Sequence, residues 1–150
     1  MKRRIIILVL FLIILVLCIT TSISLNKVKK EISDFKELII KENFLIKETT
    51  LEYNDPLVID SYIAYNNDYQ IEVITFDSVE SCANAFKANI TSIETEDGKE
   101  EFKTHKRFTS YKYTSSDKYV YIRQEKNTLL YINTDVKYKE SIDKLIIKLI

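Results

Sequence analysis

Met1-Lys2-Arg3-Arg4 precedes an apolar run that is unbroken from Ile5 to Ile19, and no charged residue follows until Lys27. The uncharged stretch 5–25 holds 21 residues, which as a helix at ~1.5 Å per residue reaches roughly 30 Å, the thickness of a bilayer's hydrocarbon core. A run without a polar face does not make an amphipathic core helix, and a basic cluster abuts one end. The spacing predicts an N-terminal signal anchor over residues 1–25 and an extracytoplasmic domain over 26–150. The basic residues Lys2, Arg3 and Arg4 are expected to stay in the cytoplasm.

Two other fates of the segment remain open. Thr20-Thr21-Ser22 is the best candidate for a cleavage site, without an Ala-x-Ala, and would yield a secreted form. Leu15-Val16-Leu17-Cys18 is similar to a bacterial lipobox, although Leu17 stands where that motif has a small residue, so a lipoprotein carried on Cys18 is the other alternative.

Without Lys2, Arg3 and Arg4 the chain carries 19 basic and 22 acidic residues, a formal −3, which argues against a nucleic-acid partner. Its single Gly cannot build the Gly-rich loops that bring main-chain N–H groups onto phosphates. With Cys18 in the membrane, Cys82 is the one thiol outside, so no intramolecular disulfide is expected and stability must come from a core. The length suits one domain.

Leu25, Val28, Ile32, Phe35 and Ile39 share one helical stripe, read either as a helix packed on its own domain or as a short coiled coil, with Asn43 as a left-handed stop. Strand patterns follow at 44–51, 57–65 and 69–76, where Ile71 and Val73 alternate with Gln70 and Glu72, and Asn66-Asn67 marks a hairpin. Asp77 and Glu80 open a helix as a capping pair, with Val79, Cys82, Ala83, Phe86, Ile90 and Ile93 on one face. Residues 94–101 read as an acidic loop; strands resume at 105–113, 118–124 and 128–134, and 136–149 closes the chain as a helix. The expected class is α+β, an antiparallel sheet with helices on one face in the order α-βββ-α-βββ-α, with an internal duplication as an open question.

Asp68-Tyr69-Gln70-Ile71-Glu72-Val73, Ser78-Val79-Glu80-Ser81 leading to Ala85-Phe86, and Asn127-Thr128-Leu129-Leu130-Tyr131-Ile132 before Tyr138-Lys139 give the chain its family likeness. In these it resembles small exported or lipoprotein-like domains of unknown function from Gram-positive Firmicutes. The resemblance implies an envelope location and carries no catalytic residue over.

His105 is the one imidazole, no H-x-x-x-H or C-x-x-C spacing exists, and Glu94, Glu96, Asp97, Glu100 and Glu101 lack the offsets of a calcium loop. No metal or cofactor is expected, and Cys82 reads as a structural thiol on the helix's apolar stripe. Asn89-Ile90-Thr91 is a formal glycosylation acceptor inside a helix and is set aside. Ten Tyr and no Trp are the remaining signal. On 118–124, Val120 and Ile122 alternate with Tyr119, Tyr121 and Arg123; on 128–134, Leu130 and Ile132 alternate with Tyr131. With the aliphatic set under the helices, Tyr119, Tyr121, Arg123 and Tyr131 would form one exposed patch able to hold an envelope protein or a glycan. The expected function is a non-enzymatic, membrane-anchored binding or interaction module of the cell envelope; the alternative is a cell-wall-acting hydrolase using paired carboxylates such as Asp60 and Glu72.

Overall fold

The structure is a computed structural model that describes residues 35–93 and 97–148. The apolar run 5–25 lies outside them, and among the described residues no helix is long and apolar enough to cross a membrane. The chain divides into two units between Ile39 and Ile40. Residues 35–41 are helical (α1). Asn43 ends this helix as expected, with φ at 64° and its amide donating to the Ile40 carbonyl at 3.0 Å.

The second unit is an α+β domain built on one seven-stranded antiparallel sheet. Its strands are β1 (Leu45–Glu48), β2 (Val58–Tyr65), β3 (Gln70–Phe76), β4 (Lys99–Thr104), β5 (Thr109–Thr114), β6 (Lys118–Glu125) and β7 (Thr128–Asp135). Helix α2 (Val79–Thr91) links β3 to β4, and α3 (Lys139–Lys148) follows β7. The spatial order β1-β2-β3-β7-β6-β5-β4 joins two meanders along the β3–β7 seam. The second meander has four strands against three in the first, because the sequence expected as an acidic loop at 94–101 contains the start of β4. Lys99-Glu100-Glu101-Phe102-Lys103-Thr104 is polar because β4 is an edge strand, where charges discourage pairing with another chain. His105 falls in the β4–β5 turn, its amide bonded to the Phe108 carbonyl at 2.8 Å and its ring stacked on Phe108.

Helix α2 starts one residue later than the capping pair implied. Ser78 is the N-cap, its hydroxyl accepting from the Ser81 amide at 3.1 Å. Cys82, Phe86 and Ile93 pack with Ile74, Phe76, Tyr111, Val120, Ile122 and Leu129. Burial pushes the Cys82 thiol up to about 12, so it stays neutral, as a structural thiol does.

The expectation of helices on one face is corrected by α3. Its Asp143 accepts from the Tyr119 hydroxyl at 2.8 Å and from Lys112, and Ser141 meets the Tyr69 hydroxyl at 3.3 Å. Tyr119 alternates with Val120 along β6, so α3 lies on the face opposite α2, and it buries Ile142, Leu145 and Ile146. The reason is legible in β6: both of its sides are apolar or aromatic, and a strand covered on both sides needs both.

Candidate binding face

Pairing registers resolve each face into rows that run across the strands. One row passes from Lys47 through Ile63, Glu72, Tyr131, Ile122 and Tyr111 to Phe102, one residue from each strand. Tyr111 and Ile122 of this row are buried under α2, and at its far end the exposed Phe102 ring meets Phe86 of α2 edge to face at 5.9 Å. At the near end Lys47 is exposed and Ile63, Glu72 and Tyr131 are only half-buried. The neighbouring row opens further: Leu45, Tyr65 and Gln70 are all exposed, with Leu45 at 63% and Tyr65 at 39%.

This half of the face has a defined lower boundary. Residues Thr50–Glu52 form a short 3-10 turn, and the following Tyr53 donates its hydroxyl to Glu72. Burial first, then the Glu72 carboxylate, raises the Tyr53 hydroxyl's pKa, so it remains a donor. The turn is tied to β2 by Thr49 and Ser61, whose hydroxyls are 2.9 Å apart, and by the Ser61 amide donating to the Thr50 hydroxyl at 2.8 Å.

The upper boundary is a split in the sheet. The β3–β7 ladder stops at Glu72 and Tyr131, although β3 begins at Gln70 and β7 continues to Asp135. Gln70 and Asn133 therefore flank a gap instead of pairing. The β2–β3 turn closes above it: the Asn66 side-chain oxygen accepts from the amides of Asp68 and Tyr69, both at 2.9 Å. The result is an open cleft of about 410 Å³ between Tyr65, the 66–69 turn, Gln70, Asn133 and Thr134.

The four residues expected as one exposed patch do not come together. Tyr119, Tyr121 and Arg123 share the α3 face and are buried, at 0%, 2% and 5% exposure. Tyr131 faces Ile122 and lies on the α2 face. Tyr119 is hydrogen-bonded to Asp143, and burial, then that carboxylate, raises its hydroxyl's pKa. Arg123 pairs with Glu125 at 2.6 Å and lies over the Phe108 ring at 4.0 Å, a buried cation met by a carboxylate and an aromatic face. Of the expected patch, Tyr131 alone belongs to the open half-face.

Ile63, Tyr65, Gln70 and Asn133 are not singled out by the sequence as site residues, and Glu72 is singled out there only as a hydrolase carboxylate. One signal for them existed: along β3 the α2-side positions read Gln70, Glu72, Ile74 and Phe76, polar then apolar, which marks where the covering helix ends. The carboxylates Asp60 and Glu72 do not converge. Asp60 pairs with Thr75 and Glu72 with Ile63, which places them on opposite faces, and Asp60 accepts from Thr50 at 3.2 Å. Among the described residues no group of three His, Cys, Asp or Glu side chains is arranged to hold a metal ion.

No protein-family model, curated protein or solved structure matches the chain.

Proposed function

We propose that the chain is a membrane-anchored, extracytoplasmic binding module of the cell envelope that presents the open half of its α2-side sheet face to a ligand. One observation carries the reading: the row Lys47, Ile63, Glu72, Tyr131 continues a buried core row yet leaves the helix that covers it, so charged, aliphatic and aromatic side chains, with exposed Leu45 and Tyr65 beside them, are held by the sheet at the domain's exterior. A sheet fixes its side chains at spacings set by strand pairing, which keeps the entropic cost of binding low. The apolar run 5–25, with Lys2, Arg3 and Arg4 before it, supplies the anchor and the orientation. For the alternative hydrolase, Asp60 and Glu72 would have to meet in one cleft, and they occupy opposite faces.

The test uses the full chain in intact cells. Lys47→Cys should react with a membrane-impermeant maleimide, because Lys47 is exposed on the outer domain. A photo-crosslinking residue at Ile63 or Tyr131 should form a discrete adduct with an envelope component, whereas the same residue at Lys103, on the α3 side of edge strand β4, should not. Protection of Lys47→Cys until the cells are lysed would overturn the location. Adducts at Lys103 but none at Ile63 or Tyr131 would overturn the face.

A further inference from the structure

The cleft at the head of the β3–β7 seam has a chemistry of its own. Its walls include Gln70 and Asn133, which lie beyond the last β3–β7 ladder pair and flank the gap between the two strands. Three exposed carboxamides, Asn67, Gln70 and Asn133, surround it, and Thr134 adds a hydroxyl. Each amide offers donors and acceptors at once, the pattern that matches a hydroxyl, which is also both. Asp68 is the one ionised side chain in the lining. An anionic ligand would meet a carboxylate and no cation there, and a cationic one would find a single carboxylate with one exposed ring, Tyr65, since Tyr69 is buried. Tyr65, 39% exposed, adds a ring whose face can cover the C–H face of a sugar.

We infer that this cleft binds an uncharged saccharide through Gln70, Asn133 and Asn67, with Tyr65 as its stacking surface; the inference rests on the binding-module reading above and names its ligand class. A volume of about 410 Å³ lies at the small end of ligand pockets, enough for one or two sugar rings, and the open mouth lets a longer glycan continue onto the half-face below. Free monosaccharide and polymer share this chemistry, and the length dependence of binding separates them.

The experiment is saturation-transfer NMR on the full chain in lipid nanodiscs, with maltotriose and chitotriose as neutral probes, their monosaccharides for length, and trigalacturonate for charge. At about 10 mM probe, a site with Kd near 1 mM is mostly filled. The expected result is saturable transfer to at least one neutral trisaccharide, weaker transfer to its monosaccharide and none to trigalacturonate. Gln70→Ala with Asn133→Ala should lower that affinity about tenfold or more with the melting temperature unchanged, since both side chains are exposed. Should the double variant melt early, Asn67→Ala at the turn's tip gives the same reading. Absent transfer from both neutral trisaccharides, preference for trigalacturonate, or transfer unchanged in the variants would each overturn the inference. Photo-adducts at Ile63 or Tyr131 without saccharide transfer would sink the saccharide and leave the module.

Discussion

Tyr121 and Tyr131 lie on opposite faces of one sheet: Tyr121 pairs with Ile132 under the α3 face, and Tyr131 pairs with Ile122 on the α2 face. Substitution should separate them. Tyr121→Ser removes a fully buried ring and should cost about 3–5 kcal/mol, whereas Tyr131→Ser, at a half-buried position, should cost about 1 kcal/mol. Urea denaturation of the two variants measures the difference, and equal losses would contradict the face assignment.

The parity of the β6–β7 pair is set by its turn. Glu125 pairs with Thr128, so the loop is Lys126-Asn127 alone, and Lys126 holds φ at 55°. A left-handed conformation costs a non-glycine residue about 1–2 kcal/mol. Lys126→Gly should therefore stabilise the fold by about 0.5–1 kcal/mol after the entropy glycine adds to the unfolded chain. A raised urea midpoint with an unchanged slope is the expected signature.

Gly98, the chain's one glycine, is required by a close approach and not by its φ. A Cβ built there would lie 2.1 Å from a ring carbon of Tyr113, a side chain only 3% exposed and unable to swing away freely. Gly98→Ala should cost about 1–3 kcal/mol, the usual range for overpacking. In a Tyr113→Ala background the same substitution should cost almost nothing, and a double-mutant cycle reads the coupling.

Asp143 joins α3 to the sheet. Burial raises its pKa, but hydrogen bonds from Lys112, Lys139 and Tyr119 outweigh that and hold it down to about 2. A folded pKa below the unfolded value of about 3.9 stabilises the protein fully above about pH 4, and the contribution is lost as pH falls toward about 2. The loss should be on the order of 2 kcal/mol, seen by denaturation at about pH 6 and about pH 2. Asp143→Asn should remove that part of the acid sensitivity and lower stability at neutral pH, because the partly buried Lys112 ammonium loses the carboxylate that pairs with it.

The local devices of this fold are written in the chain. Alternation in β2, β3, β6 and β7, the apolar stripe of α2 and α3, and Asn43 as a helix stop follow from how neighbouring residues share a face or tolerate a positive φ. What local pattern cannot carry is phase between strands. Alternation divides β6 into two faces without saying which is covered, and reading the β6–β7 loop as the three residues 125–127 instead of two reverses the pairing parity. That single residue would place Tyr131 beside Tyr121; the two-residue turn sends it to the open face. The polar edge strand β4 was hidden for a related reason, since its side chains answer to solvent and its identity comes from hydrogen bonds to β5. The open half-face and its cleft exist only because α2 covers part of a row and because β3 and β7 part company above Glu72 and Tyr131. The first depends on α2 packing across β4, β5 and β6, the second on pairing between segments more than fifty residues apart, Glu72 with Tyr131, and only the assembled sheet decides either.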